Sequence, residues 1–292
     1  MIIRDQPTPL ALFFTMQGSV VPRILPQIIA VTMLSAAIIL VDRLIVDLPG
    51  ISLSAIGVFG VALSLFLGFR NNAAYSRWWE ARKLWGALIG DVRTLARHTV
   101  IFLPDGPDRA QFLKTAVAFA HLHRSFLRGD DVANDIAGFD ALTRARNPAD
   151  AALRDMGRQL ARMTEADGFG RLAIARVLGD LGMSQAGCER IATTPLPFVY
   201  SLLVRRTTYL YCLFLPFALL DAGGLLTPLI AAIVAYVFFG LQAVTNELEH
   251  PFSDGSNGLP LSAMCRVIEI SVAEALNEAP PEPLQAQDAV LM

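Results

Sequence analysis

Apolar and polar positions divide this chain into two apolar pairs separated by a long polar middle. Residues 24–41 and 51–69 contain no charged side chain. About 20 apolar residues at ~1.5 Å rise cross the ~30 Å of a bilayer's hydrocarbon, so membrane helices are predicted over 24–42 and 51–70. The link between them, DRLIVDLPG, is short enough to force an antiparallel pair. A second pair is predicted over 203–220 and 225–245, joined by DAGG. Its first member is weaker, with a short apolar run over 207–220 that contains Pro216 and a start before Arg205 and Arg206.

Between the pairs the pattern becomes helical and amphipathic. No proline occurs between Pro49 and Pro104, so one helix is expected to cover most of residues 51–103, far longer than a bilayer is thick. Beyond Arg70 its apolar positions, Trp78, Ala81, Trp85, Leu88, Val92 and Leu95, recur at three and four residues. That spacing needs a protein surface rather than lipid. Asp105 before Pro107, and Asn147 or Asp150 around Pro148, mark two further helix starts. Residues 71–195 and 250–277 therefore read as aqueous helices, residues 278–292 as a Pro-rich disordered tail, and residues 1–277 as one domain. The short apolar run Leu10 to Met16 reads as an interfacial helix rather than a signal peptide.

Composition agrees with the membrane reading. Apolar residues make up 54% of the 292 and charged residues 17%, with a mean hydropathy of +0.48, too apolar for an ordinary soluble domain of this length. The net charge of −2 gives no basic field for nucleic acid. Lys and Arg gather on the cytoplasmic side of membrane spans. Here Arg70, Arg77, Arg82, Lys83, Arg205 and Arg206 flank the middle region, whereas the hairpin links carry only Arg43 against Asp42, Asp47 and Asp221. The middle and both termini are expected in the cytoplasm, and the chain in a cell membrane, a bacterial inner membrane.

Candidate chemistry is sparse. Cys188, Cys212 and Cys265 lack disulfide or zinc spacing and read as reduced packing residues. His121 and His123 are two apart and point away from each other on a helix, and no nucleophile grammar or phosphate loop appears, so neither an enzyme nor a metal site is expected. The second span carries two stripes instead. Gly57, Gly60, Ser64 and Gly68 form an edge that lets another helix approach closely. Beside it lie Val61, Leu65 and Phe69, at i, i+4 and i+8. Spacing alone accommodates two readings of these three: ordinary core or lipid contact, or an apolar constriction that gates by dewetting.

Three long stretches, SLFLGFRNNAAYSRWWEARKLWG, GCERIATTPLPFVYSLLVRRTTYLYCLFLPFAL and NELEHPFSDGSNGLPLSAMCRVIE, resemble, in order, the signature regions of the bestrophin family and especially its short bacterial members. The resemblance implies an all-α integral membrane fold with four transmembrane helices per subunit, a cytoplasmic helical vestibule and a homopentameric assembly. It places Val61, Leu65 and Phe69 at the pore neck and Arg70, Arg77, Trp78 and Trp79 at the pore exit and assembly motif. A second constriction falls on Phe169 or Ile174. Animal bestrophins bind calcium in a clasp after the Pro-Phe of the last motif. This chain offers only Asp254 between Phe252 and Leu261, whereas calcium takes six to eight oxygens, so calcium binding is not expected.

A passive channel for small monovalent ions, of the chloride or sodium class, is the leading expectation. Its partners would be its own copies, the lipid bilayer and those ions, with no cofactor. The neck carries no charged ring to set selectivity, and the family contains anion and cation conductors. A secondary transporter normally needs ionisable groups at midplane, and the first two spans have none. A membrane scaffold or sensor whose vestibule binds a partner is the third class.

Overall fold

The computed structural model describes residues 1–2, 15–130, 139–286 and 289–291. Most of the expected interfacial helix at Leu10 to Met16 lies outside these. The described residues form helices α1 (Val21–Leu44), α2 (Leu53–Phe102), α3 (Pro107–Arg128), α4 (Asp140–Thr143), α5 (Pro148–Arg162), α6 (Gly168–Thr193), α7 (Phe198–Ala218), α8 (Leu220–Gly223), α9 (Thr227–Leu248) and α10 (Leu261–Ala275), with a 3-10 turn at Gly224–Leu226. Extended pairing among them is limited to an isolated antiparallel bridge between Ile2 and Val290. Beside it the Leu291 N–H donates to the Met1 carbonyl at 2.8 Å, at the end of the stretch expected to be a disordered tail.

The chain divides into two compact units, and α2 contributes to both. Its 50 residues make a rod of about 75 Å, as the proline-free stretch predicts. Residues 6–78 with 195–249 form the apolar unit. There α9 packs along α1, and both pack on α7. Ile24, Val31, Leu63, Leu67, Val204, Tyr211 and Phe239 lie in its core. At Gly60 the approach is closest: a Cβ there would sit 2.7 Å from the Tyr211 hydroxyl. The glycine edge is therefore partly spent inside the chain, while Gly57 and Gly68 face open space.

Three helical stretches, Val21–Leu44, Leu53–Phe102 and Gly224–Leu248, are long and apolar enough to cross a membrane. Phe198–Ala218 has the length, but Arg205 and Arg206 interrupt its apolar run.

Residues 79–194 and 250–292, with the first five, form the second unit, in which α3 packs on α5 and α10 and α5 packs on α6. The expected partner-facing positions of α2 are its core: Ala81, Trp85, Leu88, Val92 and Leu95 are fully buried. Each large apolar side chain there contributes about 1.5–3 kcal/mol. Asn147 caps α5, accepting from the Asp150 N–H at 3.1 Å. At α3 the expected cap is corrected: Gly106 is the N-cap, and Asp105 instead pairs with Arg109 one turn later. An ion pair is available to a carboxylate one residue too early to reach the orphan amides. Asp167 caps α6 through the Gly170 N–H at 2.6 Å, and Gly129, at φ 74°, ends α3 in the left-handed region.

Candidate pore-lining site

α2 advances about 100° per residue, so positions four apart share a face and neighbours do not. Along residues 56–74, Ile56, Leu63, Leu67, Arg70 and Ala74 are buried in the apolar unit. Val61, Leu65 and Phe69 fall on the opposite face and are 62%, 56% and 64% exposed. They span ~12 Å along the axis. The chain thus leaves uncovered the three side chains that the sequence singled out.

Rotation of α2 is fixed by a polar clamp. Arg70, only 3% exposed, donates to Asn246 Oδ1 at 2.8 Å and pairs with Glu249 Oε2 at 3.1 Å. Glu249 is itself buried. Its other carboxylate oxygen accepts from the Leu196 N–H at 3.2 Å, and its carbonyl accepts from Arg77 Nε at 2.9 Å. One residue past the end of α9 therefore joins two positions of α2, seven apart, to the segment that enters α7. A buried charge is tolerated only when paired and hydrogen-bonded, and Glu249 meets both conditions.

Arg70 therefore points into the interior of the apolar unit rather than toward the face of Phe69. Arg77 serves the same clamp. Trp79 is half-exposed, Trp78 partly buried and Trp85 enclosed. The two candidates for a second constriction separate clearly, since Phe169 is 82% exposed and Ile174 has no exposure at all. Sequence reasoning missed Glu249 as a structural centre because its partners are 172 and 179 residues away and no local pattern announces them.

Around the Pro-Phe motif, Arg128 Nη1 lies 2.7 Å from Asp254 Oδ1 and 3.4 Å from Ser262 Oγ. A guanidinium thus engages the carboxylate of that loop. His121 pairs with Glu269 at 2.5 Å, which holds the Glu269 carboxyl below its ordinary range despite burial that acts the other way. His123 is enclosed between Trp85 and Phe119, with ring centroids at 5.5 and 5.8 Å. Burial lowers its pKa to about 3, so it is neutral at physiological pH. All three cysteines are free and buried.

The profile of the family described as Bacterial/Fungal Bestrophin protein matches residues 1–274. This chain belongs to the bacterial and fungal bestrophin family. Its similarity to the voltage-dependent anion channel-forming protein of Mesorhizobium japonicum is 48% identity, covering 98% of this chain and 96% of that protein. For the voltage-dependent anion channel-forming protein YneE of Escherichia coli K12 the figures are 38%, 96% and 95%. Among solved structures, a bacterial bestrophin homolog from Klebsiella pneumoniae superimposes with a TM-score of 0.80 at 30% identity, over 90% of this bestrophin and all of that chain. These likenesses and the apolar helices identify a membrane protein of an ion-channel family.

Proposed function

We propose that this bestrophin is a multi-pass channel of the cell membrane that passes small monovalent anions passively through a central pore. Several copies, five by family resemblance, gather their α2 helices about a common axis. Val61, Leu65 and Phe69 form the neck. The observation that carries this reading is the uncovered apolar stripe on a helix whose opposite face is locked by Arg70 and Glu249. An apolar throat of this kind gates by losing its water.

Four spans at 24–42, 51–70, 203–220 and 225–245 complete the subunit's crossing, with Arg205 and Arg206 in the third at the boundary. Both termini and the aqueous helices lie in the cytoplasm, and the membrane is a bacterial inner membrane. Phe169, with its exposed ring, is the second constriction; Ile174 packs the interior. Arg70 supplies no charge to the neck, so the sign of selectivity is taken from the names of the Mesorhizobium and Escherichia relatives. Calcium does not open this channel, because Asp254 is engaged by Arg128.

Planar-bilayer recording of the purified protein tests the reading. Single-channel steps are expected, with unit conductance altered in Leu65→Ala and Phe69→Ala, and reversal potentials in asymmetric chloride salt should follow the anion gradient. A reversal potential following the cation would overturn the selectivity. Gradient-coupled uptake without steps would mean a transporter, and silence in both assays a scaffold.

A further inference from the structure

We propose that the apolar unit holds one anionic phospholipid in a composite site between α1, α7 and α9. This goes beyond the channel reading and rests only on the unit lying in a bilayer. Two adjoining hollows make the site. The first is an apolar groove of about 510 Å³, within the ~300–1,000 Å³ range of small-molecule sites. It is lined by Pro26, Ala30, Val31 and Leu34 of α1 and by Cys212 and Leu213 of α7. The second is a polar pocket of about 270 Å³, walled by Arg23, Arg205, Gln242 and Asn246. Gln27 and Tyr209 line both, so the two hollows meet.

The polar pocket holds an unmet donor. Gln242 is 7% exposed, and its amide nitrogen has no hydrogen-bond partner among the described residues. A buried donor left unmet is costly, so an acceptor is called for there. Arg205 has no carboxylate partner among the described residues, while Arg23 shares its charge with Glu247. One uncompensated guanidinium and one unmet amide donor thus open into the end of an apolar trough. A phosphodiester supplies the acceptors and the negative charge. An acyl chain leaving the same headgroup fills the groove. No soluble anion uses the trough, and no uncharged hydrocarbon uses the donors. Glu247 cancels one of the two arginines, so the selection against a zwitterionic headgroup rests on one charge, which near an anionic surface is worth about fivefold in affinity.

Native mass spectrometry of the full-length channel, released from detergent containing equimolar dioleoyl phosphatidylglycerol and dioleoyl phosphatidylcholine, provides the test. Retained phosphatidylglycerol should exceed phosphatidylcholine by about fivefold. In an Arg205→Gln variant of unchanged oligomeric mass, which keeps the Arg23–Glu247 pair, that ratio should fall to about one. Ala30→Trp, which fills the groove and leaves the arginines in place, should cut retention of both lipids. Equal retention in the unaltered protein, or an unchanged ratio in Arg205→Gln, would overturn the proposal. So would displacement of the lipid by chainless glycerol phosphate, which would mark a free-phosphate site. If Ala30→Trp broke the oligomer while lipid retention held, the groove would seat a second copy of the chain and the proposal would fail.

Discussion

His123 allows a quantitative test of the second unit. Its imidazole is fully enclosed between Trp85 and Phe119, neither ring nitrogen has a hydrogen-bond partner among the described residues, and burial lowers its pKa from 6.5 to about 3. The folded state therefore binds fewer protons than the unfolded state between these values. Stability from this group is complete above the unfolded pKa and declines as pH falls through 6.5, reaching its floor near 3. At pH 5 the loss is 1.5 units at ~1.36 kcal/mol each, or about 2 kcal/mol per subunit. Replacement by Phe removes both the titration and two unmet polar atoms while keeping an aromatic ring in the stack. Melting followed by intrinsic tryptophan fluorescence, at pH 7.5 and pH 5, should show a larger acid-induced drop in the unaltered protein than in His123→Phe, by roughly 4–8 °C. If the larger Phe ring strains the core, both of its melts fall together and the difference between pH values survives. Equal acid shifts in the two proteins would refute the burial argument.

The clamp and the packing are as testable. Arg70→Ala strands Glu249 as an unpaired buried charge and should destabilise the apolar unit by about 3–5 kcal/mol, whereas Arg70→Met with Glu249→Leu should cost much less, read as melting temperature and oligomer recovery in detergent. Gly60→Ala drives a methyl against the Tyr211 ring and should cost about 1–3 kcal/mol, partly recovered by Tyr211→Leu. Asn147→Ala removes the α5 cap and should lower the stability of the second unit by about 1 kcal/mol, read as melting temperature. Arg128→Gln frees Asp254; calcium titration by calorimetry should remain silent in the unaltered protein, and tight binding abolished by Asp254→Ala would overturn the assignment.

Much of the helical layout could be read from the chain because it depends on local rules. An absence of proline over residues 50–103 leaves nothing to break a helix, and spacing at three and four places Ala81, Trp85, Leu88, Val92 and Leu95 on one face whatever that face meets. Asn147 capping α5 is likewise a matter of four consecutive residues. Asp105 misled because capping and i,i+4 pairing compete for the same carboxylate, and the Arg109 four residues on decided the outcome. The stripe of Val61, Leu65 and Phe69 was visible as spacing but ambiguous as chemistry, since lipid and lumen both accept Val, Leu and Phe. What stayed hidden was long-range: the Glu249 clamp, the His123 stack and the Arg128–Asp254 pair each join segments more than 35 residues apart.

The clamp also explains why adjacent residues divide their work. Phe69 and Arg70 differ by one step of about 100° on the same helix. If Arg70 turned toward the uncovered face, Glu249 would keep its contacts with Leu196 and Arg77 but lose its only ion-pair partner among the described residues. The cost of that stranded carboxylate opposes rotation of α2 in either direction. A helix so held presents Val61, Leu65 and Phe69 in a constant register, which an apolar constriction requires if its width is to be the same in every subunit. Weakening the clamp without unfolding the unit, as in Arg70→Lys, which keeps the charge but replaces the planar guanidinium, whose Nη2 meets both Asn246 and Glu249, with a compact ammonium, should therefore broaden the distribution of single-channel conductances rather than shift its mean. A shifted mean with an unchanged spread would show that Arg70 acts on ions directly, and the division argued for Phe69 and Arg70 would be wrong.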